Sequence, residues 1–261
     1  MRASQSAPFS ALPAALFGML PRVALVACFI TGCAARPSVV ERPVSTVPPD
    51  LSGAVIVIDA GHPSENGHGA TSPRGTVESQ ITLAVARKVE TMLKERDITV
   101  VMTRTQQDQV VTNRERAEIA NRARAQALIR LHCDARAASG TATYYPDRRG
   151  TVDGVTGPSA EVISRSERLA NIFHSRLIIA MGPDWGDVGV FGDSKTAVGE
   201  RQGALTGSIF SEVPAITVEM VSLANARDDA FITTEEGQLR MARGIVAGIE
   251  AYLRSPAAGF E

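Results

Sequence analysis

From residue 54 onward, short apolar runs alternate with longer segments whose apolar residues return every three or four positions. The runs are AVIVID (54–59), ITVVMT (98–103), ALIRLH (127–132), TATYYP (141–146), VGVF (188–191) and AITVEM (215–220). Runs this short and rich in β-branched residues predict strands. Between them, Ile81, Val85, Val89 and Leu93 share one face of a helix expected over 78–96. Leu169, Phe173 and Leu177 do the same over 164–181, and another helix is expected over 238–253. Thr112 and Glu115 have capping-box spacing, which predicts a helix running to about Gln126. A shorter helix is expected over 202–211, and the Gly, Asp, Arg and Ser of 147–162 predict a loop. Alternating β and α elements predict an α/β fold, one domain over residues 51–255 with helices on both faces of its sheet.

The first 50 residues follow a different pattern. PRVALVACFITGC joins a basic residue to an apolar run and then to small residues before Cys33. That predicts a signal peptide over 1–32, with an apolar run too short for a membrane span. ITGC resembles the bacterial lipobox, which implies cleavage before Cys33 and a lipid anchor on it. Ala34 after the cysteine, by resemblance to enterobacterial sorting, implies a periplasm-facing outer-membrane protein. Met19 is an alternative start that would give a leader of ordinary length. Residues 33–50 carry four prolines without a long apolar run, a tether rather than a core. Composition adds two exclusions. Beyond residue 33 the chain has 25 basic against 28 acidic residues, which gives no electrostatic footprint for nucleic acid. Of three cysteines, Cys28 leaves with the signal and Cys33 is acylated, so Cys133 has no intrachain partner.

Three strands end in residues able to bind metal or carry a proton: VIVID leads to His62, ALIRL to His132 and AITV to Glu219. In an open α/β sheet, ligands collect outside the carboxyl ends of the strands. Two neutral imidazoles and one carboxylate form a common catalytic zinc shell. The carboxylate is either Glu78, which opens the next helix, or Glu65, three residues past His62. Glu219 is then the general base, its pKa raised by burial so that it can return the proton to a leaving amine. Taken one at a time, each histidine reads better as a structural residue, and only their combination with Glu78 and Glu219 favours a metal site.

Six segments resemble, in order, the zinc-dependent N-acetylmuramoyl-L-alanine amidases: VIVIDAGH, GTVESQITLAVARKVETML, ITVVMTR, NRERAEIAN, ALIRLHCDA and PAITVEMVSLANARDDAFI. The resemblance implies a mixed, mostly parallel twisted sheet. It implies that His62, Glu78 and His132 bind Zn2+, with His132 ending the family's SxH strand, and that Glu219 is catalytic. The substrate implied is peptidoglycan, cut at the amide between N-acetylmuramic acid and L-alanine. The chain departs from the family pattern at GHPS after the first strand, at Cys133 and Asp134 after the second histidine, and at Val221 and Ser222. The rival readings are a non-catalytic peptidoglycan-binding or activator lipoprotein, and a zinc peptidase cutting within the stem peptide. Some family members carry a helical insertion that blocks the site until an activator protein binds. The short 147–162 segment predicts no such helix here.

Other residues read more plainly. His68 is expected as an exposed loop residue and His174 as core edge or surface. Cys133 is expected to point away from the metal face, since consecutive strand residues alternate. Asp134 is a candidate acceptor orienting His132. Arg104, Arg114 and Arg116 are expected to support loops through salt bridges.

Overall fold

The structure is a computed structural model and describes residues 50–259. The signal segment and all but the last residue of the tether therefore lie outside the described residues. In chain order the elements are β1 (Val55–Ala60), α1 (Glu78–Lys94), β2 (Thr99–Met102), α2 (Asn113–Ala123), β3 (Ala127–Asp134), β4 (Thr141–Tyr145), β5 (Gly150–Val152), β6 (Val155–Gly157), α3 (Ala160–Met181), β7 (Asp187–Gly192), α4 (Ala197–Gln202), α5 (Thr206–Ile209), β8 (Ala215–Ser222), α6 (Ala226–Ile232) and α7 (Glu235–Leu253). Six strands form one sheet in the order β2-β1-β3-β8-β4-β7. All neighbours are parallel except β4 and β8, so the sheet is mixed and mostly parallel. No helix among the described residues is long and apolar enough to cross a membrane.

Strand alternation divides the sheet into two unequal faces. Ile56, Ile58, Ile129, Leu131, Ile216 and Val218 join α1, α3 and α7 in the main core. Each such side chain, fully buried, contributes about 1.5–3 kcal/mol. The opposite face holds a small cluster of Val57, Leu128 and Ala215 against Ala120 of α2. Asp59, Arg130, His132, Thr217 and Glu219 share its parity. The thick face stabilises the fold, and the thin face is free to carry polar chemistry.

Several elements differ from the sequence-based expectation. Helix α2 stops at Ala123, because Arg124 turns left-handed at φ 47 and Gln126 is already paired to β1 through its N–H to Val55 O. Its capping box is present in full. Residues 147–162 hold the β5–β6 hairpin, with Asp153 and Gly154 at φ 51 and 75 in the turn, and the first residues of α3. Ser159 caps α3 a full turn earlier than expected by accepting from Val162 N–H at 3.2 Å. In place of the helix expected over 202–211, α4 ends at Gln202 and the short α5 follows, with Gly203 between them at φ 104. A Cβ there would come 2.5 Å from Gly150 Cα, so the break lets this backbone press against the hairpin. Helix α6, which was not predicted, starts where Asn225 accepts from Arg227 N–H at 3.0 Å.

Candidate metal centre

β1, β3 and β8 are parallel and adjacent, so their C-terminal ends share one rim. His62 lies two residues past β1 at φ 54, and its Nδ1 pairs with Gly67 O at 3.1 Å. That leaves Nε2 to face inward, 3.6 Å from Glu78 Oε1. His132 lies on β3, directly opposite Glu219 of β8 in the ladder. Its ring packs edge-on to that of His62, with centroids 5.1 Å apart.

Glu78, the first residue of α1, is 3% exposed. Residues 61–77 bring it back to the rim, and its carboxylate is tied on both sides. Oε2 accepts Ala70 N–H at 2.7 Å, and Oε1 accepts Cys133 N–H at 3.0 Å while standing 3.1 Å from His132 Nδ1. His62, Glu78 and His132 each offer a ligand atom within 4.8 Å of the others. Burial raises the Glu78 pKa, but the hydrogen bond and charge of His132 outweigh it and hold the carboxyl below its usual value. Burial, then the charge of His132, lowers His62 and favours the neutral imidazole that a metal requires. His132 Nε2 is buried and has no partner. A buried orphan beside two neutral or anionic donors is what a cation would satisfy, so the set fits a divalent metal.

Glu219 keeps part of its surface exposed, but its Oε2 is buried and unpartnered. Burial, reinforced by the charges of Glu78 and Asp134, pushes its carboxyl well above the usual range.

Beneath the rim lies a buried charge network. Asp59, 0% exposed, accepts from Thr103 Oγ1 at 2.6 Å, from Arg130 Nε at 2.9 Å and from Arg116 Nη1. Arg116 also donates to Ala60 O at 2.8 Å and Pro63 O at 2.7 Å, and Arg104 donates to Ala60 O at 2.9 Å. These arginines clamp the backbone that carries His62. Support of loops was expected of Arg104 and Arg116, but most of their partners are carbonyls and only Arg116 forms a salt bridge. Arg114 pairs with Glu118 and lies over the Phe210 ring.

The remaining candidates fall away from the centre. Glu65 accepts from Asn113 N–H at 3.0 Å and is no part of the cluster. His68 is exposed. His174 is buried between Thr143 Oγ1 and Asp187 Oδ1, each 2.9 Å away. Cys133 packs in the main core, where burial pushes its thiol far up, which argues against a nucleophile. Asp134 pairs with Arg136 at 2.6 Å and with nearby backbone N–H groups, so it does not orient His132. The sequence reading missed Arg130 and Thr217, which line a cavity of about 210 Å³ together with His62, His132 and Glu219. Their position two residues before His132 and Glu219 was the available signal.

A model of the family Amidase_3, N-acetylmuramoyl-L-alanine amidase, matches residues 56–251. The chain is 28% identical over 204 residues to the uncharacterized protein YqiI of Bacillus subtilis, a match covering 77% of this chain and 86% of that one. Among solved structures it is similar to the catalytic domain of CwlV, an amidase of Bacillus (Paenibacillus) polymyxa, with TM-score 0.61 and 30% identity over 77% of this chain and 98% of that one. It is also similar to an N-acetylmuramoyl-L-alanine amidase of Clostridium difficile 630, with TM-score 0.64 and 25% identity over 78% and 98% of the two chains.

Proposed function

The chain belongs to the N-acetylmuramoyl-L-alanine amidase family Amidase_3, and from that premise we propose a zinc-dependent hydrolase that cleaves the amide between N-acetylmuramic acid and L-alanine in peptidoglycan. His62, Glu78 and His132 hold the ion, and Glu219 is the catalytic acid and base. One observation carries the reading: four residues from three strand ends and one helix start meet at a single rim, with an orphaned His132 Nε2 among them. When bound, zinc supplies a Lewis acid that polarises the scissile carbonyl and acidifies water. The soft–hard balance of two imidazoles and a carboxylate suits it.

The chain's own residues do the rest. Glu78, fixed by the N–H groups of Ala70 and Cys133, keeps its charge directed at the ion. Arg104 and Arg116 fix the backbone on either side of His62. Glu219 takes a proton from the attacking water at its free Oε2 and hands it to the departing amine of L-alanine. A lipid anchor on Cys33 would hold the domain at the outer membrane, facing peptidoglycan. The 147–162 segment forms a hairpin rather than a blocking helix, which supports activity without an activator protein.

Digestion of purified murein tests this. The expected products are stem peptides with free L-alanine amino termini and unsubstituted muramic acid, lost on chelation. Cuts within the stem would mean a peptidase, and no cut would mean a binding module.

A further inference from the structure

The cavity beside the metal-ligand cluster extends inward along the sheet, beyond what the hydrolysis itself uses. Its floor is two rungs of the β3–β8 ladder. His132 faces Glu219 on the outer rung, and Arg130 faces Thr217 on the inner one. Successive same-face residues of a strand are about 6.6 Å apart. Arg130 is 3% exposed and Thr217 4%. Thr217 Oγ1 is buried without a hydrogen-bond partner and lines the cavity. Arg130 donates from Nε to Asp59 and from Nη2 to Asn113 Oδ1, leaving Nη1 beside Gly207. A Cβ on Gly207 would stand 2.7 Å from that nitrogen, so the glycine gives the guanidinium its room.

Arg116 and Arg130 both line the cavity, and both pair with the single buried carboxylate of Asp59. Two buried guanidiniums that share one carboxylate can take a further anion at the cavity side. At about 210 Å³ the cavity admits one small group and not a glycan. Arg130 stands two residues before His132, where the SxH strand that the sequence resembles has serine.

We propose that Arg130 and Thr217 form a carboxylate subsite that selects stem peptides whose second residue carries a free carboxylate. An extended chain covers about 3.3–3.6 Å per residue. A carboxylate on the residue after L-alanine therefore lies about 7 Å from the reacting carbonyl, close to one rung of the ladder. The inference rests on the amidase reading and deepens it.

The test compares two substrates on the intact protein: N-acetylmuramoyl-L-alanyl-γ-D-glutamate and the same molecule with its glutamate α-carboxylate converted to a carboxamide. The carboxylate form should be cleaved with a kcat/KM about tenfold higher or more, mostly through KM. Calorimetry should show the same order for the leaving dipeptide against its α-amide. In Arg130→Lys and Thr217→Val the preference should fall toward one. The Thr217 hydroxyl bonds nothing in the fold, so its valine variant should fold normally. Equal cleavage and equal binding of the pair, or a preference that survives Thr217→Val, would overturn the subsite alone. Cleavage of neither substrate would overturn the amidase reading and the subsite with it.

Discussion

Glu78 Oε1 stands 3.1 Å from His132 Nδ1, although 54 residues separate the two. The contact depends on the 61–77 loop folding tightly enough to return the first turn of α1 to the end of β3. Gly69 is the pinch point. It sits at φ 83, and a Cβ there would come 2.7 Å from His62 Cδ2 and closer still to Glu78 Oε2. Gly69→Ala should therefore weaken metal affinity by about 10–100-fold, the range for disturbed support around a site, with the circular dichroism of the fold retained. Competition against a zinc-binding dye would measure it, and unchanged affinity would show that the loop has slack.

Asp59 serves two buried guanidiniums at once. Burial pushes its carboxyl up, but the charges of Arg116 and Arg130 win and hold it well below the usual range. A depressed folded pKa gives stability that is present above the unfolded value near 3.8 and is lost as the pH falls. Asp59→Asn should cost about 3–5 kcal/mol at neutral pH, as expected when a buried pair loses one partner. Urea unfolding of the two proteins would read this, and a cost under 1 kcal/mol would mean that the network is solvated.

Asp193 has the opposite sign. It is fully buried, and desolvation raises its carboxyl to about 6 against hydrogen bonds from Ser208 and Leu205. The folded state then binds the extra proton, so stability falls as pH rises from near 3.8 through about 6. Asp193→Asn should stabilise the protein by about 1–3 kcal/mol at pH 7 and by much less at pH 4. Thermal melts at the two pH values would decide, and equal effects at both would contradict the assignment.

Glu219→Gln keeps the shape of the side chain and removes its capacity to take a proton. Murein hydrolysis should fall by at least about 100-fold, within the range for general acid–base catalysis, while murein binding persists. A variant that retains turnover would remove Glu219 from its role.

Much of this was legible in the sequence because strand periodicity is a strong physical signal. Alternation in VIVID, ALIRLH and AITVEM located the rim, and the histidines past the first two runs stood out as polar residues where burial was expected. Glu78 was harder, since a glutamate opening a helix is ordinary, and only the loop geometry makes it the shared partner of both imidazoles. The β5–β6 hairpin was hidden by its three-residue strands, although Asp153-Gly154 is a recognised turn pair. The break at Gly203 depends on contact with the distant Gly150 backbone, which no local pattern encodes. Arg130 was missed because its partners Asp59 and Asn113 are 71 and 17 residues away.

If His62, Glu78 and His132 together enclose one metal ion and Glu219 stands outside its ligands, the metal content of purified, folded protein should follow that division. One zinc per chain is expected in the wild type and in Glu219→Gln, and none in His62→Ala or His132→Ala. A full complement of zinc in either histidine variant would rule out this ligand set.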